Sequence, residues 1–255
     1  MTLVLTEISY YGIVMCADSE VTCETRLPNG SKTWRVLNGV QKLVPIVHLD
    51  AGVSCWGYGK IGDIDTDIWL TDFIKRHIDD TKNLEQFAST LQDELRQVIG
   101  PRSDKSECGF HLAGYTRDKK GNLVPDFWHI HNGSNEYFKT IDPRQFNANH
   151  DLAGAIRQGR YRIGDQINTY ITRNGDYQFY AAWSEEFEKV VNKFLREQGI
   201  DIPKTSLLGR VDYLRFQIRS ISEIYSMSTL LPTIGGGIST LAIDSTGIQL
   251  SEMKA

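Results

Sequence analysis

Thr2-Leu3-Val4-Leu5-Thr6-Glu7-Ile8-Ser9-Tyr10-Tyr11-Gly12-Ile13-Val14-Met15-Cys16-Ala17-Asp18-Ser19-Glu20-Val21-Thr22 follows Met1 at the start of the chain. Its apolar and β-branched runs predict two strands, Leu3 to Ile8 and Ile13 to Ala17, joined by a tight turn around Gly12. Thr2 therefore stands at the head of a strand. Removal of Met1, which a small second residue generally permits, leaves Thr2 with a hydroxyl and a free α-amine on one residue. Those two groups are a nucleophile and a base.

With Thr2 taken as the first residue, this stretch resembles the start of a proteasome β subunit and of its bacterial relatives, the threonine members of the N-terminal-nucleophile hydrolases. Gly12 falls on the hairpin glycine of that family, Ala17-Asp18-Ser19 on its Ala-Asp-Ser, and Thr22 on a threonine whose backbone binds substrate. No gap is needed. The other end agrees, because Gly236-Gly237-Ile238 through Gly247-Ile248 looks like the family's closing pattern of two glycines, an apolar strand, a turn and a last strand.

Between the two ends the order of elements is mixed. Cys23 to Asn38 contains the turn signature Pro28-Asn29-Gly30-Ser31 and reads as a hairpin or a surface loop. Strands are expected over Val40 to Val47 and Ala51 to Cys55. A helix is then predicted from about Asp63 to Ile78, where Ile64, Ile68, Trp69, Leu70, Phe73, Ile74 and Ile78 recur at helical spacing. A second helix starts from an Asn83/Gln86 capping box and stops at Gly100-Pro101. Gly109 to Tyr115 and Pro125 to His131 read as a hairpin closed by a charged turn with Gly121, and residues 132 to 183 give no clear period. Ser184 opens a helix closed by Gly199, Ser206 to Ser226 is another, and Ile238 to Ile243 with Ile248 to Leu250 form a last hairpin.

This alternation supports a layered mixed α/β (α+β) domain. The resemblance implies the specific form, a four-layer αββα sandwich of the N-terminal-nucleophile type, over residues 1 to 255 as one domain. A length of 255 residues with no Pro/Gly/Ser-rich linker agrees with one unit. At 40 % hydrophobic and 24 % charged residues the composition excludes a disordered chain. A net charge of -4 with scattered Lys and Arg lacks the footprint of a nucleic-acid binder. No membrane span and no signal-peptide pattern are present, so a cytoplasmic protein is expected. Cys16, Cys23, Cys55 and Cys108 show no CxxC spacing and read as reduced, mostly buried thiols. His129 and His131, on one face of a strand, would make at most half a metal site. Tyr161, Tyr170, Tyr177 and Tyr180 read as packing or subunit-contact residues.

The resemblance also supplies roles. Lys42, in Gly39-Val40-Gln41-Lys42-Leu43-Val44, matches the lysine whose ammonium eases ionisation of the threonine hydroxyl, and Asp18 matches the aspartate that holds it. An ammonium flanked by Val40 and Val44 on a strand face needs a carboxylate in any case. An α-amine, with an ordinary pKa of roughly 7.7 to 8.0, is a competent base near neutral pH. Gly57 corresponds to the glycine whose N–H faces the developing oxyanion, with Gly59 as the alternative because the spacing is one residue longer. The first substrate pocket becomes Val21, Val40, Val44 and Cys55, uncharged and small to medium, with Thr22 lending its backbone.

The expectation is a cofactor-free threonine-type amide or peptide hydrolase that assembles as a homo-oligomeric ring. A catalytically silent assembly subunit and an amidohydrolase of a small acyl amide are the other readings. Whether an ATPase feeds it stays open. Glu20 stands where the family commonly has arginine, and the late Asp-x-x-Ser-Gly-Gly is replaced by Pro232-Thr233-Ile234-Gly235-Gly236-Gly237, leaving Asp176 or Thr233 as substitutes.

Overall fold

A computed structural model describes residues 2–27, 29–37, 39–99, 107–132, 146–165, 168–175, 178–198, 206–227 and 234–254. In chain order the elements are β1 (Leu3–Ser9), β2 (Gly12–Asp18), β3 (Val21–Arg26), β4 (Lys32–Leu37), β5 (Leu43–Ile46), β6 (Ala51–Trp56), β7 (Lys60–Ile61), β8 (Ile64–Asp65), α1 (Thr66–Arg76), α2 (Leu84–Val98), β9 (Gly109–Arg117), β10 (Leu123–His131), β11 (Asn147–Asn149), α3 (Asp151–Arg157), β12 (Tyr170–Gly175), α4 (Gln178–Glu197), α5 (Leu207–Met227), β13 (Ile238–Asp244) and β14 (Gly247–Glu252).

Two five-stranded sheets result, β12-β1-β2-β13-β14 and β11-β10-β9-β6-β5, with small hairpins β3-β4 and β7-β8 beside them. Every residue of β1 and β2 is buried, which is why both strands read as nearly continuous apolar runs. Alternation still sorts their side chains. Val4, Ile8, Met15 and Ala17 pack with Leu43, Trp56, Ala113 and Phe127 of the facing sheet, while Leu3, Leu5, Val14 and Cys16 pack against Val211, Leu214, Ile218 and Ile221 of α5. The outer face of the second sheet, through Val44, Val53, Cys55, Phe110 and Leu112, is covered by Trp69, Leu70 and Phe73 of α1 and by Phe87, Leu91 and Leu95 of α2.

Several boundaries differ from the sequence expectation. Helix α1 starts at Thr66, because Ile64 belongs to the hairpin that turns at Gly62-Asp63, and it stops at Arg76, leaving Ile78 beyond it. Helix α2 starts as read, with the Asn83 side chain accepting from the Gln86 N–H at 2.9 Å. Helix α4 begins at Gln178, so Ser184 is an interior residue whose hydroxyl donates back to the Ala181 carbonyl at 3.2 Å. Strand β12 and helix α3 lie in the stretch that gave no period. Strand β12 is half-buried throughout and carries polar residues on a sheet edge, where no alternation develops. The Cys23 to Asn38 segment is the hairpin alternative, β3 with β4. Tyr161 and Tyr180 are buried packing residues, while Tyr177, Asp176, Pro232 and Thr233 lie outside the described residues.

Candidate active site

The site is organised around the end of β2. Asp18 is its last residue, and pairing of Ile238 with Asp18 brings the strand that follows the glycine run alongside. Both carboxylate oxygens are fully engaged. Oδ1 accepts the Leu3 N–H at 2.9 Å and the Lys42 ammonium at 2.9 Å, and Oδ2 accepts the N–H groups of Gly235 at 3.2 Å and Glu20 at 3.3 Å. Four donors fill the four lone-pair sites of an ionised carboxylate. Burial pushes the Asp18 carboxyl up, and the Lys42 charge with the Leu3 and Gly235 N–H groups pulls it back.

Lys42 precedes β5 and is also buried. Its ammonium donates to Asp18 and to the Glu20 carbonyl, so the sequence bend at Asp18-Ser19-Glu20 wraps the lysine head. Burial lowers the Lys42 pKa from the ordinary lysine range, against the opposing pull of Asp18. The glycine run is tied to the same bend. Ser19 N–H donates to the Gly235 carbonyl at 3.2 Å, and Gly237 N–H to Ser19 Oγ at 2.7 Å. Gly235 thus serves the aspartate through its backbone, in the place where the expected Asp-x-x-Ser is missing.

A narrow pocket of about 30 Å³ opens beside this pair, lined by Thr2, Val21, Val40, Lys42, Cys55, Trp56, Gly57, Tyr58, Gly59 and Thr66. Six of the nine site residues expected from sequence line it: Thr2, Lys42, Gly57, Val21, Val40 and Cys55. Asp18 stands behind Lys42. Val44 is on the outer face of its strand, packed in the layer under α1 and α2, and Thr22 lies on β3 outside the lining.

Thr2 is buried and sits just before β1. Cys55 is beside it, but burial pushes its thiol up to about 12, and Cys16 likewise, so neither is a thiolate near neutral pH. Gly57 has φ +91, and a Cβ there would lie 2.2 Å from the Glu107 carbonyl oxygen, so no larger residue fits the backbone as built. Gly59 has open space around it.

Trp56, Tyr58 and Thr66 went unnoticed in the sequence. They bracket the glycines, and Thr66 Oγ1 ties the first turn of α1 to the Tyr58 carbonyl at 2.8 Å. Two aromatics flanking Gly57 were the available signal.

No protein-family model and no curated protein matches the chain. Among solved structures it is similar to the Gly-1 mutant of Anbu from Hyphomicrobium sp. strain MC1, with a TM-score of 0.52 and 11 % identity over 100 % of this chain and 88 % of that one. Likeness at this identity speaks to the fold alone: a mixed α/β fold, coarsely like that of the Anbu structure.

Proposed function

We propose that the chain is a threonine-type amide hydrolase, acting on peptides, whose nucleophile is Thr2 after loss of Met1. The observation that carries this reading is the placement of Thr2 in one pocket with Lys42, whose ammonium is paired to Asp18 at 2.9 Å with both side chains buried. A positive charge fixed at the same pocket as a hydroxyl, with the rest of the lining uncharged, favours the ionised hydroxyl.

In the proposed reaction the Thr2 α-amine accepts the proton from Oγ as Oγ attacks the substrate carbonyl carbon. The resulting oxyanion is held by the Gly57 N–H. The amine then gives its proton to the leaving nitrogen, the C–N bond breaks, and an ester to Thr2 forms. Water, deprotonated by the same amine, attacks that ester, and its proton passes to Thr2 Oγ as the acid leaves. Apart from substrate and water, the groups named belong to the chain, and the proposed reaction draws on no cofactor.

Val21, Val40 and Cys55 around a small pocket favour a small apolar residue on the acyl side. The proposal includes the four-layer αββα form, residues 1–255 as one domain, a cytoplasmic setting and assembly of copies into a ring. Among the described residues no helix is long and apolar enough to cross a membrane. Ile64, Ile68 and Ile78 are exposed around α1, an apolar surface suited to subunit contact. The direct test is intact mass of the mature protein together with peptide hydrolysis by wild type and Thr2→Ala. Loss of Met1 and loss of activity in the variant are expected, and a retained Met1 would refute the mechanism.

A further inference from the structure

The carbonyl of Thr2 is in tight contact with the end of β12. Leu3 pairs with Gly175, and a Cβ built on Gly175, whose φ is +92, would stand 1.8 Å from the Thr2 carbonyl oxygen. Where β12 ends therefore sets where the Thr2 backbone lies. Yet among the described residues β12 is an edge strand, paired in its sheet with β1 alone, and its residues are only half-buried. A strand of this kind is weakly specified in register unless something pins it.

One polar link between the two sheets does so. His111, on β9 of the second sheet, is buried and reaches across to two strands of the first: Nδ1 lies 3.1 Å from Thr6 Oγ1 on β1, and Nε2 lies 2.7 Å from Asn174 Oδ1 on β12. Around it lie Val4, Ile8, Met15 and Phe127, with the His129 ring 5.1 Å away on its own sheet. The contacts fit a neutral imidazole that donates from Nε2 to the Asn174 oxygen and accepts the Thr6 hydroxyl proton at Nδ1, a tautomer assigned from the network. Slipping β12 by one residue would turn Asn174 to the other face and leave Nε2 buried without its acceptor, which opposes the slip. Gly175 follows Asn174 directly, so the pin acts one residue from the contact with Thr2.

We propose that His111 is a positioning residue for Thr2: by bridging Thr6 and Asn174 it fixes the register of β12, and through Gly175 the placement of the Thr2 backbone in the cleft. The proposal rests on the reading of Thr2 as nucleophile for its catalytic consequence, but the placement itself can be read without catalysis.

The experiment compares wild type, His111→Gln, Asn174→Ala and the double variant, each below its own melting temperature. Amide hydrogen exchange of Leu3, whose N–H donates to Asp18, should quicken at least tenfold in each single variant while the amides of Val14 and Leu241 in the sheet centre hold. The double variant should be no faster than the worse single one, since both changes cut the same bridge. Alkylation by a peptide epoxyketone should lose at least tenfold in its maximal rate with the concentration for half-maximal rate within twofold. Unchanged Leu3 exchange in Asn174→Ala, or a lowered melting temperature with an unchanged maximal alkylation rate, would overturn the positioning role. A wild type that is not alkylated at Thr2 sinks the nucleophile reading instead, and Leu3 exchange still decides the placement.

Discussion

Lys42 Nζ lies 2.9 Å from Asp18 Oδ1, and the two residues, 24 positions apart in sequence, are both buried. Their burial makes them structural as well. Lys42→Ala strands a buried carboxylate and should cost about 3–5 kcal/mol of stability. Lys42→Met keeps the stem in place but strands the same carboxylate, so it loses stability too, and turnover of the folded variant should fall by about 10²–10³-fold with little change in substrate affinity. Steady-state kinetics beside a denaturant titration separates the two effects, and full turnover in Lys42→Met would exclude the lysine from the reaction.

The same pair sets a pH limit. Burial lowers the Lys42 pKa, so the ammonium the reaction needs is lost, as pH rises, earlier than from an exposed lysine. The alkaline limb of the rate profile should fall below the ordinary lysine range and disappear in Lys42→Met. A limb unmoved by that variant assigns it to another group.

Gly57 and Gly59 give a matched comparison. An added methyl at Gly57 meets the Glu107 carbonyl and Cys108 Cα within 2.6 Å, on a backbone at φ +91, whereas at Gly59 it meets nothing within 4 Å. Gly57→Ala should cost at least about 1–3 kcal/mol and reduce turnover by moving the 57 amide. Gly59→Ala should leave the rate within a few-fold, and the reverse order of losses would transfer the oxyanion role to Gly59.

His111 makes stability fall on the acid side. Burial, with His129 nearby, holds its pKa at about 3 against an ordinary 6.5. The unfolded chain therefore binds a proton that the folded one refuses as pH drops from 6.5 towards 3, and stability declines by roughly 1 kcal/mol per pH unit in that window. His129, whose ring stands 5.1 Å from that of His111 and whose Nδ1 lies 3.6 Å from Asp151 Oδ2, and His131, stacked on His129, neighbour it. Urea unfolding of His111→Gln should show a shallower slope over that range, and an identical slope would remove His111 as its source.

Glu7 on β1 holds Arg210 of α5 in a buried bidentate pair, with Arg210 Nε 2.6 Å from Glu7 Oε1. Glu7→Ala should destabilise by about 3–5 kcal/mol, because a guanidinium is left buried without its counter-charge. Chemical denaturation measures it. A loss under 1 kcal/mol would mean that Arg210 finds solvent.

What the sequence reveals follows from where side-chain pattern is strong. Both buried strands at the chain start, the Asn83 cap and the final hairpin were legible because apolar runs and capping residues are local signals. The Asp18 and Lys42 pairing came from the family's Ala-Asp-Ser at the chain start and a lysine in the matching strand context and order, although the insert between them is longer than the family's. The Glu7 and Arg210 pair, the His111 bridge and the backbone donor Gly235 were not legible, since each joins residues more than 60 positions apart or acts through an N–H that every residue but proline has. Strand β12 escaped for a related reason: it is held by pairing with β1, while Arg173, Asn174 and Gly175 carry no strand signature of their own.

The claim that Thr2 is the nucleophile is tested most directly by peptide mapping after reaction with an epoxyketone peptide bearing a small apolar end residue. Such a probe bonds to both a hydroxyl and an adjacent amine, so the account predicts one adduct per chain, on Thr2, and none in Thr2→Ala. An adduct on Cys55 or Cys16, or an unaltered adduct in Thr2→Ala, would contradict it.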